Sequence, residues 1–174
     1  RHSLQQAKSA CSGFAEDPSG WILLMGPTGT GKSHLAVSIA NERLKMGEEV
    51  RFWFVPDLLD HLRKAFNSSS GAAYDEVFEQ VKTVDLLILD DMGGENPSPW
   101  VEEKLYQLVV HRHNHHLPTV ITTRLYFGDE GQDADNGRGR SPRGRTTFSD
   151  AIGSRLKDQR VVTILPITAP DYRE

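Results

Sequence analysis

The sequence contains very little cysteine and no long apolar segment, and both absences restrict the kind of protein it can be. Cys11 is the single cysteine among 174 residues, which excludes a disulfide framework and a metal cluster built on thiolates. No apolar run approaches the roughly 20 residues that a membrane-spanning helix needs, and the N-terminus does not look like a signal peptide. We therefore expect a protein of a reducing compartment, the cytoplasm, with no membrane partner.

The chain also lacks an overall basic charge. Its formal net charge is −4, from 20 lysines and arginines against 24 acidic residues. This charge excludes a chain that is basic throughout, but it does not exclude a local basic patch. Its length and its hydrophobic content of 37% suit one domain over residues 1–174. The first residue is Arg1 rather than Met, and we expect that N-terminal sequence precedes it.

Strand-like and helix-like segments alternate along the chain. The predicted strands, which are apolar and rich in β-branched and aromatic residues, are WILLM (21–25), EVRFWFV (49–55), DLLILD (85–90), TVITT (119–123) and VVTIL (161–165). Helical spacing of apolar residues predicts a leading helix within 1–20 and further helices over 32–46, 56–66, 73–83 and 99–116. This alternation predicts an α/β fold: a five-stranded parallel sheet with helices on both faces.

One segment, residues 128–147, breaks the pattern because it contains almost no apolar residue. Its first half is acidic and its second half carries four arginines, at positions 138, 140, 143 and 145. Long polar loops of this kind lack the apolar surface needed to fold. We expect a disordered insertion whose opposite charges neutralise each other, rather than a separate domain.

The octapeptide GPTGTGKS lies between a predicted strand and a predicted helix and has the spacing Gly-x-x-x-x-Gly-Lys-[Ser/Thr]. Its glycines let successive backbone amides surround an anion, Lys32 supplies an ammonium group for the β- and γ-phosphates, and Ser33 supplies a hydroxyl for Mg²⁺. A flexible glycine-rich turn would not explain why Lys-Ser opens a helix. The predicted nucleotide-binding residues are Gly26, Pro27, Thr28, Gly29, Thr30, Gly31, Lys32, Ser33 and His34.

Two carboxylates, Asp90 and Asp91, end the predicted strand DLLILD. In a phosphate-loop fold the first acid of such a pair orients the metal, and the second can activate water as a general base. An ordinary polar turn at the end of a strand is the alternative account. Together with the phosphate loop, the pair favours hydrolysis of ATP, because a kinase needs an acceptor site rather than a second acid facing water.

Read together, GPTGTGKSHLAVSIANERL and LLILDDMGGENPSPWVEEKLYQLVVHRHNHHLPTVITTR resemble the AAA+ ATPases of the DnaC/DnaI helicase-loader and IstB transposition-helper group. The resemblance implies an AAA+ P-loop NTPase core. In this core the TVITT strand lies between the WILLM strand, which precedes the phosphate loop, and the DLLILD strand. It also implies ATP hydrolysis coupled to assembly on single-stranded DNA and self-association in the ATP-bound state. For a loader, the expected partner is a replicative helicase, bound through an N-terminal region that we expect to precede this chain.

The resemblance also implies roles for individual residues. Lys32 and Asp91 become catalytic candidates, and Ser33 and Asp90 the metal ligands. The segment AIGSRL, residues 151–156, matches the one whose arginine completes a neighbouring protomer's site. That match nominates Arg155 as a third catalytic residue, although a surface salt bridge is the ordinary alternative.

A sensor position and the chain end are where the sequence departs from a common pattern. The family's fourth strand usually ends in Thr-Thr-Asn, and here Arg124 stands in the place of the asparagine that senses the γ-phosphate. Thr123 and Arg124 are therefore both candidate sensors of the γ-phosphate. Because the asparagine is replaced, the sequence does not predict how fast ATP is hydrolysed. The sequence ends with APDYRE, and we expect no C-terminal helical lid.

Two weaker signals each have two interpretations. His111 and His115 in HRHNHH have the i, i+4 spacing of helical metal ligands, but a polar helix end is the more ordinary account. Arg63, Lys64 and Phe66 combine positive charge with an aromatic ring, as a single-stranded DNA surface does, and as many helix ends do. Three alternative functions stay open: an IstB-like transposition helper, a small-molecule P-loop kinase, and a nucleotide-gated binding module with little turnover.

Overall fold

The computed structural model describes residues 2–68, 71–93, 98–125, 148–168 and 170. The elements in chain order are α1 (His2–Glu16), β1 (Trp21–Met25), α2 (Lys32–Lys45), β2 (Val50–Phe54), α3 (Val55–Phe66), α4 (Ala72–Thr83), β3 (Leu86–Asp90), α5 (Pro99–Asn114), β4 (Thr119–Thr123), α6 (Asp150–Leu156) and β5 (Val162–Pro166). These helices and strands lie close to their predicted positions. The predicted insertion, residues 128–147, lies outside the described residues.

The five strands form one parallel sheet in the order β2-β3-β4-β1-β5. On one side β1 pairs with β4, with Trp21 opposite Thr119, and on its other side it pairs with β5. Strand β3 pairs with β4 in turn, with Leu89 opposite Ile121. The β4 strand therefore lies between the phosphate-loop strand and the acidic strand, as expected. Because all strands are parallel, the carboxyl ends of β1, β3 and β4 meet at one edge, which is where such sheets bind ligands.

Helices cover both faces of this sheet, which confirms the predicted fold class. In β1, the side chains of Trp21, Leu23 and Met25 pack in the cluster that contains residues of α3, α4, α5 and α6. Those of Ile22 and Leu24 pack on the opposite face with α1 and α2. Each fully buried side chain of this size stabilises the fold by about 1.5–3 kcal/mol relative to exposure. Strands that are apolar throughout are thus explained by burial on both sides.

A buried arginine connects α4, α5 and the start of β4. Arg112 is 0% exposed, and burial lowers the pKa of its guanidinium to about 10, so the group is charged at neutral pH. It donates hydrogen bonds of 2.7–3.3 Å to the carbonyls of Val81, Lys82, Val84 and Pro118 and to the hydroxyl of Thr119. The HRHNHH segment therefore contributes a structural arginine, which the sequence analysis did not single out.

Two of the four histidines of the same segment, His111 and His115, contact each other. The rings of His111 and His115 stack with 4.2 Å between their centroids, and Nδ1 of His115 lies 2.7 Å from the carbonyl oxygen of His111. Among the residues that the structure describes, no group of three or more His, Cys, Asp or Glu side chains is placed to hold a metal ion. Across all of the residues that the structure describes, no helix has the length and apolar character needed to cross a membrane.

Candidate nucleotide-binding site

A cleft of about 700 Å³ opens at the carboxyl edge of the sheet, a volume within the usual range for a small-molecule site. Residues 28–34 line it, together with the ends of β2, β3 and β4 and with α1. Seven of the nine predicted nucleotide-binding residues, Thr28 to His34, therefore border one cavity. The other two, Gly26 and Pro27, lie at the base of the loop.

The loop between β1 and α2 has a backbone that depends on glycine. A Cβ atom on Gly26 would lie 2.4 Å from the carbonyl oxygen of Ile167, so no larger residue fits there. Gly31, with φ of 91°, occupies the N-cap of α2, and the helix begins at Lys32. The positive end of the α2 dipole and its unpaired amides therefore lie at the cleft, which favours an anionic ligand.

Lys32 is held within this loop. Its Nζ donates to the carbonyl oxygens of Gly26 at 2.8 Å and Pro27 at 2.6 Å, and the residue is 8% exposed. Burial lowers the pKa of Lys32, and the attraction of the carboxylates of Asp91 and Asp90 opposes that shift. Gly26 and Pro27 thus contribute by orienting the lysine rather than by lining the cavity.

Ser33, Asp90 and Thr122 place three oxygen atoms together. Oγ of Ser33 donates to Oδ1 of Asp90 at 2.8 Å, and Oγ1 of Thr122 donates to the same oxygen at 2.6 Å. Hydroxyl and carboxylate oxygens are ligands that Mg²⁺ accepts, and Mg²⁺ is commonly bound by one or two carboxylates together with phosphate oxygens. The residues present therefore fit Mg²⁺, and Ser33 and Asp90, the predicted ligands, are the residues that would hold it.

Asp91 and Arg124 form an ion pair at the same edge of the cleft. Nε of Arg124 donates to Oδ1 of Asp91 at 2.9 Å, and Nη2 donates to Oδ2 at 3.3 Å. Asp91 has a left-handed backbone, with φ of 57°, and its N–H donates to Oγ1 of Thr122 at 2.9 Å. The predicted general base and a predicted sensor thus contact each other directly.

The two sensor candidates differ in location. Thr123 is 0% exposed, and its hydroxyl donates to the carbonyl of Met92 at 2.7 Å and accepts from the N–H of Leu125 at 3.1 Å. It does not line the cleft, whereas its neighbours Thr122 and Arg124 do, because alternate residues of a strand point the same way. Of the two candidates, Arg124 is the one whose position allows contact with a nucleotide.

Arg155 lies on α6, outside the cleft of its own chain. Its Nη1 donates to the carbonyl of Ala151 at 3.0 Å, and its guanidinium carbon lies 5.5 Å from the centre of the Tyr106 ring. The structure therefore does not bring Arg155 together with Lys32 and Asp91 within one chain.

Six residues that line the cleft were missed by the sequence analysis: Leu4, Lys8, Leu35, Ser38, Phe54 and Thr122. Leu4 and Lys8 reach the cavity from α1, and Phe54 reaches it from the end of β2. These side chains come from segments far from the phosphate loop in sequence, and no local motif marks them. The position of the Thr122 hydroxyl follows from the parallel register of β3 and β4, which places the residue after Ile121 beside the residue after Leu89.

A phosphate loop, a serine–aspartate pair suited to Mg²⁺ and a second strand-end acid, on a parallel sheet of this order, define an AAA+ P-loop nucleotide-binding domain. A profile of the family described as IstB-like ATP binding protein matches residues 5–137, which is more than half of the chain. The chain belongs to this family of ATP-binding proteins. Helix α6 and strand β5 lie beyond the matched residues.

Individual relatives are consistent with this assignment. The chain is 35% identical over 111 residues to a protein of insertion sequence IS5376 from Geobacillus stearothermophilus that is described as ATP-binding, a match covering 64% of this chain and 43% of that protein. It is 31% identical over 102 residues to the replicative helicase loader DnaC of Escherichia coli K12, covering 59% and 41%. The chain thus spans about two fifths of the length of these relatives.

A solved structure shows the same fold. The crystal structure of the DnaC helicase loader matches with a TM-score of 0.71, over 96% of this chain and 91% of that chain, at 22% sequence identity. At that level of identity the likeness concerns the fold. It agrees with the five-stranded parallel sheet and the helices on both of its faces.

Proposed function

We propose that this domain hydrolyses ATP to ADP and phosphate with Mg²⁺, and that it acts in the cytoplasm as a DnaC/DnaI-like helicase-loading factor on single-stranded DNA. The observation that carries the enzymatic part is the meeting of Lys32, Asp90 and Asp91 in one cleft, beside the N-terminus of α2. Each of these groups has a separate task in phosphoryl transfer to water.

In the proposed mechanism, the amides of the loop and the ammonium of Lys32 bind the β- and γ-phosphates. Ser33 and Asp90 would hold Mg²⁺, and the bound ion would neutralise negative charge on the phosphates. Asp91 orients the attacking water and accepts its proton at a carboxylate oxygen. Thr122 keeps the two acids in place through its hydrogen bonds to Asp90 and to the N–H of Asp91.

We assign Arg155 to the site of a neighbouring protomer. Its location outside its own cleft supports this assignment, and arginines supplied in trans raise turnover by about 10³–10⁵-fold. The test is ATPase activity per protomer over a dilution series, with Arg155→Ala beside the control Arg160→Ala. Activity that is flat across dilution and insensitive to Arg155→Ala contradicts the shared site.

A surface built from aromatic rings and cations supports single-stranded DNA as a ligand. Phe66 is 55% exposed, and its ring lies 5.5 Å from that of Tyr74 and 6.5 Å from that of Trp100. The guanidinium of Arg63 lies 5.1 Å from the centre of the Trp100 ring, and Nζ of Lys104 lies 5.5 Å from that of Tyr74. Stacking platforms flanked by cations are suited to unpaired bases and their phosphates.

A transposition-helper function is the second candidate, and the match to the IstB-like family favours it. Both functions use the same ATPase cleft and differ in the protein partner. The experiment is a binding assay of the full-length protein with purified replicative helicase and with the purified transposase, each with ATP and with ADP. ATP-dependent binding of the helicase alone supports the loader, and binding of the transposase alone supports the helper.

A further inference from the structure

The proposed mechanism needs the carboxylate of Asp91 to accept a proton from water, and in this structure both of its oxygens are bound by Arg124. We propose that Arg124 is a positioning residue that exchanges partners: it holds Asp91 until a γ-phosphate enters the cleft, and then moves onto that phosphate and frees Asp91 for water. This inference rests on the proposed ATPase function of the same cleft. It assigns to Arg124 the task of distinguishing ATP from ADP.

The geometry shows why the pair must open before hydrolysis. Both carboxylate oxygens of Asp91 accept from Arg124, one from Nε at 2.9 Å and the other from Nη2 at 3.3 Å. A carboxylate whose two oxygens both accept hydrogen bonds from a guanidinium has fewer lone pairs left for an attacking water. As long as the contact persists, Asp91 is held away from the role of general base.

Arg124 is the partner that can move. The backbone of Asp91 is fixed by the hydrogen bond from its N–H to Thr122 at 2.9 Å, and its side chain is 26% exposed. The side chain of Arg124 is 51% exposed, and its length lets the guanidinium swing while its backbone stays at the end of β4. A rotation of the arginine therefore needs no change in the sheet.

The charges in the cleft favour such an exchange. Lys8, Lys32 and Arg124 supply three positive charges to the cleft, against the two negative charges of Asp90 and Asp91. Arg124 is close enough to Lys32 to lower the pKa of that ammonium, although burial is the larger cause. A γ-phosphate brings additional negative charge and oxygen atoms that match the guanidinium fork. It competes with Asp91 for Arg124, which the shorter phosphate chain of ADP cannot do as effectively.

The test measures nucleotide affinity rather than turnover. Dissociation constants for a non-hydrolysable ATP analogue and for ADP, both with Mg²⁺, are measured for the wild type, Asp91→Asn, Arg124→Gln and the double variant. The control is Arg160→Gln, which removes a similar two-point pair with Asp158 at 2.9 and 3.1 Å, outside the cleft. The control is expected to keep both wild-type affinities.

Partner exchange predicts three results. Asp91→Asn tightens the analogue about tenfold with little effect on ADP, since the analogue no longer has to break the ion pair. In the Arg124→Gln background the same change tightens the analogue much less. Arg124→Gln alone removes most of the wild-type preference for the analogue over ADP.

Two results overturn the exchange. In the first, Asp91 acts on the nucleotide only by charge repulsion, which removing Arg124 leaves unopposed. Asp91→Asn then tightens binding of the analogue in the Arg124→Gln background at least as much as it does in the wild type. If Arg124 never reaches the phosphate, Arg124→Gln leaves the preference for the analogue unchanged. Either result leaves the proposed ATPase standing, whereas a wild type that binds neither nucleotide overturns both.

Discussion

Thr122 joins the two acids of the cleft: its hydroxyl donates to Oδ1 of Asp90 at 2.6 Å and accepts from the N–H of Asp91 at 2.9 Å. One side chain from β4 therefore positions both the expected metal ligand and the expected general base at the end of β3. Strand β4 therefore has a direct part in the proposed chemistry, through the hydroxyl of Thr122.

Thr122→Val keeps the shape of the side chain and removes its hydroxyl. We expect turnover of ATP to fall by about ten- to a hundredfold, because Asp90 and Asp91 lose their common anchor, and stability to fall by about 1–3 kcal/mol because the N–H of Asp91 loses its partner. The measurements are ATPase rate and urea unfolding. Thr163→Val, at an exposed position of β5, is the control, and equal losses in the two variants contradict the anchoring role.

Asp90 and Asp91 are predicted to fail in different ways. Asp90→Asn raises the Mg²⁺ concentration needed for half-maximal activity by about tenfold, since it removes the only charged ligand among Ser33, Asp90 and Thr122. Asp91→Asn lowers kcat by about 10²-fold or more and leaves the Mg²⁺ requirement close to wild type. Magnesium titrations of ATPase activity separate the two, and identical profiles would remove the distinction between metal ligand and base.

Arg112→Met tests the buried arginine. The change keeps much of the side-chain volume but leaves the carbonyls of Val81, Lys82 and Val84 without their donor. Unpaired buried acceptors cost about 1–3 kcal/mol each, so we expect a loss of about 3 kcal/mol or more in urea unfolding. Arg51→Met, at an exposed position of β2, is expected to change stability by less than about 0.5 kcal/mol. If Arg112→Met changes the free energy of unfolding by no more than about 0.5 kcal/mol, a structural role for Arg112 is contradicted.

Cys11 gives a prediction about pH. Burial of its thiol raises the pKa from the usual 9.0 to about 11, so between these values the folded state holds a proton that the unfolded state has lost. The contribution of this group to stability is therefore complete below pH 9 and is lost as the pH rises towards 11, by up to about 1.4 kcal/mol per pH unit. Unfolding free energies of wild type and Cys11→Ala across this range isolate the effect. A difference between them that does not change with pH contradicts the shift.

The sequence was sufficient for the strands, the helices and the phosphate loop, because burial on both faces leaves unbroken apolar runs and the loop is a local motif. The position of β4 between β1 and β3 came from resemblance to a family, since strand order does not show in periodicity. The choice between Thr122 and Thr123 needed the register of the sheet. Leu4, Lys8 and Phe54 could not be predicted at all, since only the tertiary packing of α1 and β2 brings them to the cleft.

Every function proposed for this cleft requires that the loop containing Lys32 binds MgATP. Calorimetric titration of the protein with a non-hydrolysable ATP analogue and Mg²⁺ should show binding to the wild type, weakened about ten- to a hundredfold by Lys32→Ala. Lys45→Ala, on the same helix with a side chain 70% exposed, should bind like the wild type. A wild type that does not bind, or a Lys32→Ala variant that binds equally well, would contradict the central claim.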